Sequence, residues 1–243
     1  MTGFGVDIGG SGIKGAPVDT ELGRLSAERF RIETPQPSTP DDVGAVVVEV
    51  VRHYNWTGPV GVTFPGVITN GVVRTAANMD HHWVDLEGEE LLSGLLGAPV
   101  RLINDADAAG IAEMKFGAGQ GHKGLVLMIT LGTGLGSAAF FAGQLIPNTE
   151  LGHIEVDGHD AEDRAAARVR DDEGLKWSEY AERLQRYFKA LEDVLWPELF
   201  IVGGGISTKA GKFLPRLKLR TPIEPAALGN EAGIVGAALA AAQ

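Results

Sequence analysis

The chain has 243 residues, 34 of them glycine and none cysteine, and a formal net charge of −11. That length suits one large domain or two small ones, each with a true core. The lack of cysteine excludes a disulfide framework and any thiolate-held zinc or iron–sulfur centre, the acidity speaks against a nucleic-acid binder, and no apolar run is long enough to span a bilayer.

Strand signals cover 3–8, 12–18 and 24–33 and read as an antiparallel meander. The first strand begins at once, so no leader and a cytoplasmic location are expected. A turn-rich loop at 35–40 precedes a helix that opens with Asp41 and Asp42 and runs to about His53. Val60–Phe64 is a short strand, and Asn70-Gly71 marks a tight hairpin between Val67-Ile68 and Val72-Val73. Residues 86–96 read as a helix closed by Gly97, 100–103 as a strand, and 104–116 as an alanine-rich helix. The second half repeats the plan. Strands fall at 124–130, 135–141 and 144–146, then a long helix over 178–194, a strand over 198–202, a short helix after Ser207 and a final helix over 231–241. Strand runs followed by β-α-β units, twice over, predict two related α/β lobes.

Two glycine-rich turns share one design. Asp7-Ile8-Gly9-Gly10-Ser11-Gly12-Ile13-Lys14 and Thr130-Leu131-Gly132-Thr133-Gly134-Leu135-Gly136-Ser137 each set glycines between apolar strands. Without Cβ atoms, the N–H groups of such a turn can approach phosphate oxygens. One such turn is compatible with a plain hairpin, whereas two matched copies point to a polyphosphorylated ligand. Gly9, Gly10, Ser11, Gly12, Gly132, Thr133 and Gly134 are the candidate donor-binding residues. The first copy adds Asp7, a carboxylate suited to a Mg²⁺ shell, and Lys14, a cation suited to phosphate charge. Gly203-Gly204-Gly205 follows a buried strand. Gly204 and Gly205 either open backbone to a base or phosphate or make a close strand–helix turn.

Asn104-Asp105 stands where a strand ends and a helix begins, a common ligand position in α/β sheets. Either residue also makes a good N-cap. With Asp107 available in the first turn, Asp105 is a candidate base for a hydroxyl. Glu150-Leu151-Gly152-His153-Ile154-Glu155 gathers three polar groups. Glu150 and His153 suit the vicinal hydroxyls of a polyol, and the spacing is not that of a helical zinc site. Asn78 and Gly66, the latter in Thr63-Phe64-Pro65-Gly66, are further lining candidates. Residues 164–220 carry 12 basic and 8 acidic residues, and Lys209, Lys212, Arg216, Lys218 and Arg220 follow one another with no acid between. Such a strip either steers an anionic ligand or is a solvated surface.

In order, Asp-Ile-Gly-Gly at Asp7, Pro65-Gly66, Asn104-Asp105, Leu-Gly-Thr-Gly-Leu-Gly at Leu131, Glu-Leu-Gly-His at Glu150 and Gly-Gly-Gly-Ile at Gly203 resemble the ROK family over essentially the whole chain. The resemblance implies an α/β protein of the actin-like ATPase and hexokinase fold, with two ribonuclease-H-like lobes around a cleft. The lobes are expected at 1–104 with the last helix (about 230–243) and at 105–229, with a hinge near 104–118. Ser11-Gly12-Ile13-Lys14-Gly15 and the run from Ile146 to His153 further resemble the polyphosphate-dependent glucokinases of that family. These phosphorylate glucose at O6 from inorganic polyphosphate, many also from ATP. The resemblance implies Asp105 as general base and Gly66, Asn78, Asn104, Glu150, His153 and Glu155 around glucose. It also implies Mg²⁺ near Asp7, held through water, and a homodimer. Many members follow the Glu-x-Gly-His motif with zinc-binding cysteines; none exists here, so structural zinc is not implied. The alternatives are an ATP-only hexose kinase and a sugar-binding regulator without turnover.

Overall fold

The computed structural model describes residues 1–76 and 78–242. The chain divides into two compact units, Met1–Ala112 with Glu231–Gln243, and Glu113–Asn230.

The first unit opens with β1 (Thr2–Gly9) and β2 (Gly12–Asp19), an antiparallel hairpin turned by Gly10 and Ser11. The strand expected over 24–33 is two short pieces, β3 (Arg24–Leu25) and β4 (Phe30–Ile32), both paired with β2. Helix α1 (Pro40–His53) starts where Thr39 accepts the Asp42 N–H, with Pro40 at its first position and two acids in its first turn. β5 (Val60–Phe64) follows, then the hairpin of β6 (Ile68–Thr69) and β7 (Val72–Val73). Its turn residues Asn70 and Gly71 both take positive φ, 52° and 81°, as a tight hairpin demands. α2 (Gly88–Leu96), closed by Gly97, leads through β8 (Val100–Asn104) into α3 (Asp105–Phe116). The sheet order is β3-β2-β1-β5-β8, with β1, β5 and β8 parallel.

The second unit repeats this plan. β9 (Leu125–Leu131), β10 (Leu135–Phe141) and β11 (Gln144–Ile146) form a meander. A two-stranded ribbon, β12 (Glu155–Val156) and β13 (His159–Asp160), then leads to α4 (Glu162–Ala165), α5 (Ala167–Asp172) and α6 (Trp177–Leu195). β14 (Leu199–Gly203) and β15 (Ile223–Pro225) complete a sheet of order β11-β10-β9-β14-β15. β10-β9-β14-β15 therefore matches β2-β1-β5-β8, a hairpin extended by two parallel strands. Tyr180, Leu184, Phe188 and Leu191 recur on one face of α6 and bury against Leu127, Ile129, Phe200 and Val202. The short helix expected after Ser207 is a 3-10 turn, Gly205–Lys212. The basic strip is broken among that turn, a second one at Leu214–Arg216 and the irregular segment 217–222. Lys212 lies over the Trp177 ring at 5.4 Å, and Arg220 lies over Trp196 at 3.6 Å while donating to the Glu192 carbonyl.

The boundary between units falls inside α3, after Ala112. Beyond it, the buried Glu113 carboxylate accepts the N–H groups of Ala118, Ala227 and Leu228 at 2.7–3.0 Å. The chain then returns to the first unit with α7 (Ala232–Ala240). Alternation along β1 sends Phe4, Val6 and Ile8 into the core with Val43, Val47 and Val50 of α1. The opposite face receives α7 at backbone contact. A Cβ on Gly5 would lie 1.9 Å from the Ile234 carbonyl oxygen, and one on Gly61 would lie 1.8 Å from that of Ala237. On the helix itself, a Cβ on Gly236 would lie 1.7 Å from the Ala108 oxygen of α3. No helix among the described residues is long and apolar enough to cross a membrane.

Two helical glycines make opposite predictions. Gly236→Ala should destabilise the protein by about 3 kcal/mol, because overpacking outweighs the gain in helix propensity. Gly94→Ala in α2, where a Cβ meets nothing within 4 Å, should stabilise by up to about 1 kcal/mol. Urea denaturation measures both, and similar values for the two would refute the backbone-contact argument.

Candidate functional site

In the first unit the parallel strands β1, β5 and β8 bring Asp7, Thr63 and Ile103 into one cross-strand row near their carboxyl ends. Asp7 is held from two sides. Its Oδ1 accepts the buried Thr63 hydroxyl at 2.8 Å, and its Oδ2 lies 3.0 Å from Lys14 Nζ, directly opposite on β2. Both side chains are mostly buried, 18% exposed for Asp7 and 23% for Lys14. The α7 backbone comes close above: a Cβ on Gly233 would sit 3.1 Å from Asp7 Oδ2. Lys14, expected to meet phosphate charge, thus has a carboxylate partner within its own hairpin.

The 9–12 hairpin carries the candidate residues Gly9, Gly10, Ser11 and Gly12. Thr34 donates its hydroxyl to the Gly9 carbonyl, and Gly10 opens to space, with nothing within 4 Å of a Cβ. A residue outside the sequence reading joins them: Arg31 of β4 donates from Nη2 to the Ser11 carbonyl at 2.7 Å. It lies opposite Lys14 across β2 and β4. No motif marks Arg31 in the sequence; strand register alone brings it here.

At the end of β8, Asn104 is buried and engaged at both ends of its amide. Its Oδ1 accepts the Asp107 N–H at 3.0 Å, and its Nδ2 donates to the Gly66 carbonyl at 3.1 Å. The N-cap of α3 is therefore Asn104. Asp105, half-buried, accepts the N–H of Ala106 at 2.8 Å. Gly66 is required by packing, since a Cβ there would lie 2.0 Å from the Thr75 oxygen. Asn78 is exposed in a turn, with left-handed backbone at φ 58°.

In the second unit the remaining candidates converge. The 132–136 turn is held by one bond of its own and one to α4: Gly132 N–H donates to the Gly134 carbonyl at 3.0 Å, and Leu135 N–H donates to the Glu162 carboxylate at 2.8 Å. Both N–H groups are thereby engaged, and Thr133 lies between them. The turn from Glu150 to His153 packs against it. A Cβ on Gly152 would be 1.9 Å from the Leu135 oxygen, and the buried Ser137 hydroxyl accepts the Leu151 N–H at 2.9 Å. Gly204 (φ 79°) is the third member, since a Cβ there would lie 2.4 Å from the Leu131 oxygen. Gly205 has open space beside it.

His153 stands between two carboxylates. Its Nδ1 is 3.0 Å from Asp160 Oδ2, and its Nε2 is 3.9 Å from Glu150 Oε2. The acceptor at Nδ1 fixes the ring so that Nε2 faces Glu150. The hydrogen bond to Asp160 raises the imidazole above its ordinary value, helped by the charges of Asp160, Glu162 and Glu150. Burial raises the Glu150 carboxyl, and His153 pulls it the other way. Such a carboxylate–imidazole pair offers acceptor and donor atoms spaced for neighbouring hydroxyls. Asp160 is itself fixed, accepting the Glu162 N–H at 2.9 Å through Oδ1. Glu155, exposed on β12, lies opposite Asp160 in the ribbon. Asp160 and Glu162 are absent from the sequence-based set, because strands of two residues and a helix of four carry no readable period.

Among the described residues, Asp80, His81 and His82 also bring ligand atoms within 4.8 Å of one another. The two histidines open the 3-10 turn His81–Trp83, and Asp80 caps it by accepting the His82 N–H.

Comparison with known proteins places this geometry in context. The model of the ROK family matches residues 3–176. The polyphosphate glucokinase of Mycobacterium tuberculosis is 52% identical over 98% of this chain and 90% of its own length. The inorganic polyphosphate/ATP-glucomannokinase of Arthrobacter sp. strain KM superposes with a TM-score of 0.96 at 56% identity, covering 99% of this chain and 98% of that one. A ROK family glucokinase from Streptomyces griseus, in complex with glucose and AMPPNP, gives 0.86 at 26% identity over the full length of both. The fold is that of the actin-like ATPases and hexokinases. The chain belongs to the ROK family.

Proposed function

We propose that this protein transfers the terminal phosphoryl group of inorganic polyphosphate, and of ATP, to O6 of glucose. The similarity to polyphosphate glucokinases over nearly the whole chain supports this reading. The observation that carries it is local: Asn104 caps α3, so the helix does not depend on Asp105 for its cap. Asp105 is the general base. It accepts the O6 proton as that oxygen attacks the terminal phosphorus; the bond to the bridging oxygen breaks, and the shortened donor leaves with that electron pair. The transition state is loose, so positioning and charge neutralisation supply most of the catalysis.

Glu150 and His153 hold the sugar hydroxyls, with Asn104, Gly66, Asn78 and Glu155 in support. The turns at 9–12 and 132–136, with Gly204 and Gly205, hold the donor. Phosphoryl transfer by kinases uses a divalent metal, and Asp7 fits Mg²⁺ held through water. Among the described residues Oδ1 is engaged by Thr63 and Oδ2 by Lys14, each with a further lone pair available, while Mg²⁺ retains much of its hydration. An ion held there would supply positive charge to the phosphoryl oxygens. A cytoplasmic homodimer completes the reading.

Initial rates of glucose 6-phosphate formation, with long-chain polyphosphate or ATP as sole donor, test the assignment. Activity with polyphosphate is expected; turnover with ATP alone would leave a hexokinase without polyphosphate chemistry, and no turnover with either would leave a sugar-binding regulator. Asp105→Asn should lower kcat by about 10²-fold or more at little change in glucose affinity. Near-full turnover would make Asp105 a structural residue.

The His153–Asp160 pair gives a pH signature. The folded pKa of His153 lies above the ordinary 6.5, so the pair stabilises the fold below about pH 6.5 and loses that effect as pH rises through the raised value. The Tm deficit of Asp160→Asn should be larger at about pH 6 than at pH 8.5, though small, since both partners are partly exposed. An equal deficit at both pH values would show that the carboxylate does not support a charged imidazole.

A further inference from the structure

We infer that Arg31 is a donor-binding residue, supplying the guanidinium that engages the phosphate oxygens of the polyphosphate chain at the 9–12 hairpin. This rests on the reading of that hairpin as part of the donor site.

Lys14 is the cation that the sequence nominates for the donor, but its ammonium lies 3.0 Å from the Asp7 carboxylate and both are mostly buried. The pair presents little net positive charge. Strand register then supplies a second cation. Asp7 lies opposite Lys14, and Lys14 lies opposite Arg31, so the three side chains form a row on one face of β1, β2 and β4. Among the described residues no ion pair involves Arg31, and its side chain is exposed. The uncompensated positive charge of the row therefore belongs to Arg31.

Its placement is built by the hairpin. Nη2 donates to the Ser11 carbonyl at 2.7 Å. The guanidinium lies against Gly12: a Cβ there would come within 2.4 Å of Nε, 2.5 Å of Nη2 and 2.6 Å of Cζ. Glycine at position 12 thus makes room for the arginine as well as turning the strand. One of the five guanidinium donors is used on Ser11, and the planar fork that remains suits the oxygens of a phosphate. A polyphosphate chain carries a charge on every unit, so an arginine beside the turn meets oxygens that a single terminal phosphoryl group does not present.

Steady-state kinetics with polyphosphate as sole donor test the inference, using Arg31→Ala, Arg31→Gln, Arg31→Lys and Gly12→Ala. Loss of a charge-assisted contact should raise the polyphosphate KM about tenfold or more in the Ala and Gln variants. Glucose KM and Tm should stay near wild type. Lysine should restore part of the affinity, and Gly12→Ala should raise the donor KM by displacing the guanidinium. An unchanged polyphosphate KM in both the Ala and Gln variants would overturn the inference. So would a rise in glucose KM equal to that for the donor, which would mark Arg31 as a brace for the hairpin only. Gly10→Asp separates this from the underlying reading, because position 10 has open space and the new carboxylate would repel a polyanion. A raised donor KM in Gly10→Asp with none in Arg31→Ala would remove Arg31 alone. No change in Gly10→Asp would remove the hairpin from the donor site altogether.

Discussion

The first unit depends on a backbone-to-backbone seam between α7 and its sheet. Gly5 and Gly61 admit the carbonyls of Ile234 and Ala237, and Gly236 admits that of Ala108. Any side chain at these positions would push α7 off the sheet or off α3. The seam therefore sets the distance from α7 to β1, which carries Asp7, and to α3, which begins with Asp105. Van der Waals forces fall steeply with separation, and such a seam leaves little slack. The chemistry proposed for the first unit is held by contacts in which its reactive groups take no part.

A second theme is that the charges come in compensated sets. Asp7 has Lys14 and a threonine hydroxyl. His153 stands between Asp160 and Glu150. Glu113 has three backbone N–H groups. Compensation of this kind offsets part of the cost of taking charge from water, and it fixes side-chain geometry. In the row of Asp7, Lys14 and Arg31 the first two compensate each other, which leaves the net charge to Arg31.

Much of the fold was readable because its signals are local. Asp41 and Asp42 mark the first turn of α1, Asn70-Gly71 turns β6 into β7, and Gly97 stops α2, each through chemistry confined to a few residues. The glycine-rich turns and the cluster of Glu150 with His153 were legible for the same reason. What escaped was non-local or too short. Lys14 meets Asp7, and Arg31 meets Ser11, only through cross-strand register. The ribbon holding Asp160 has two residues per strand. The cap of α3 fell to Asn104 because β8 runs one residue further than its apolar pattern, so that the helix begins at Asp105. The basic strip runs through two 3-10 turns and an irregular segment, and two of its cations lie over tryptophan rings, placements that the run of charges does not specify.

The order of elements has a consequence for how the protein is made. Translation delivers β1 to β8 first, yet one face of their sheet is shaped to receive a helix encoded more than a hundred residues later. Until residues 232–240 emerge from the ribosome, the nascent first unit lacks the helix that covers this glycine-lined face in the folded protein. Domains of a growing chain commonly fold in the order of their synthesis, but here the second unit can close before the first. The unit that begins the chain is thus the last to be completed, and ribosome-bound intermediates are where its exposed sheet face needs protection.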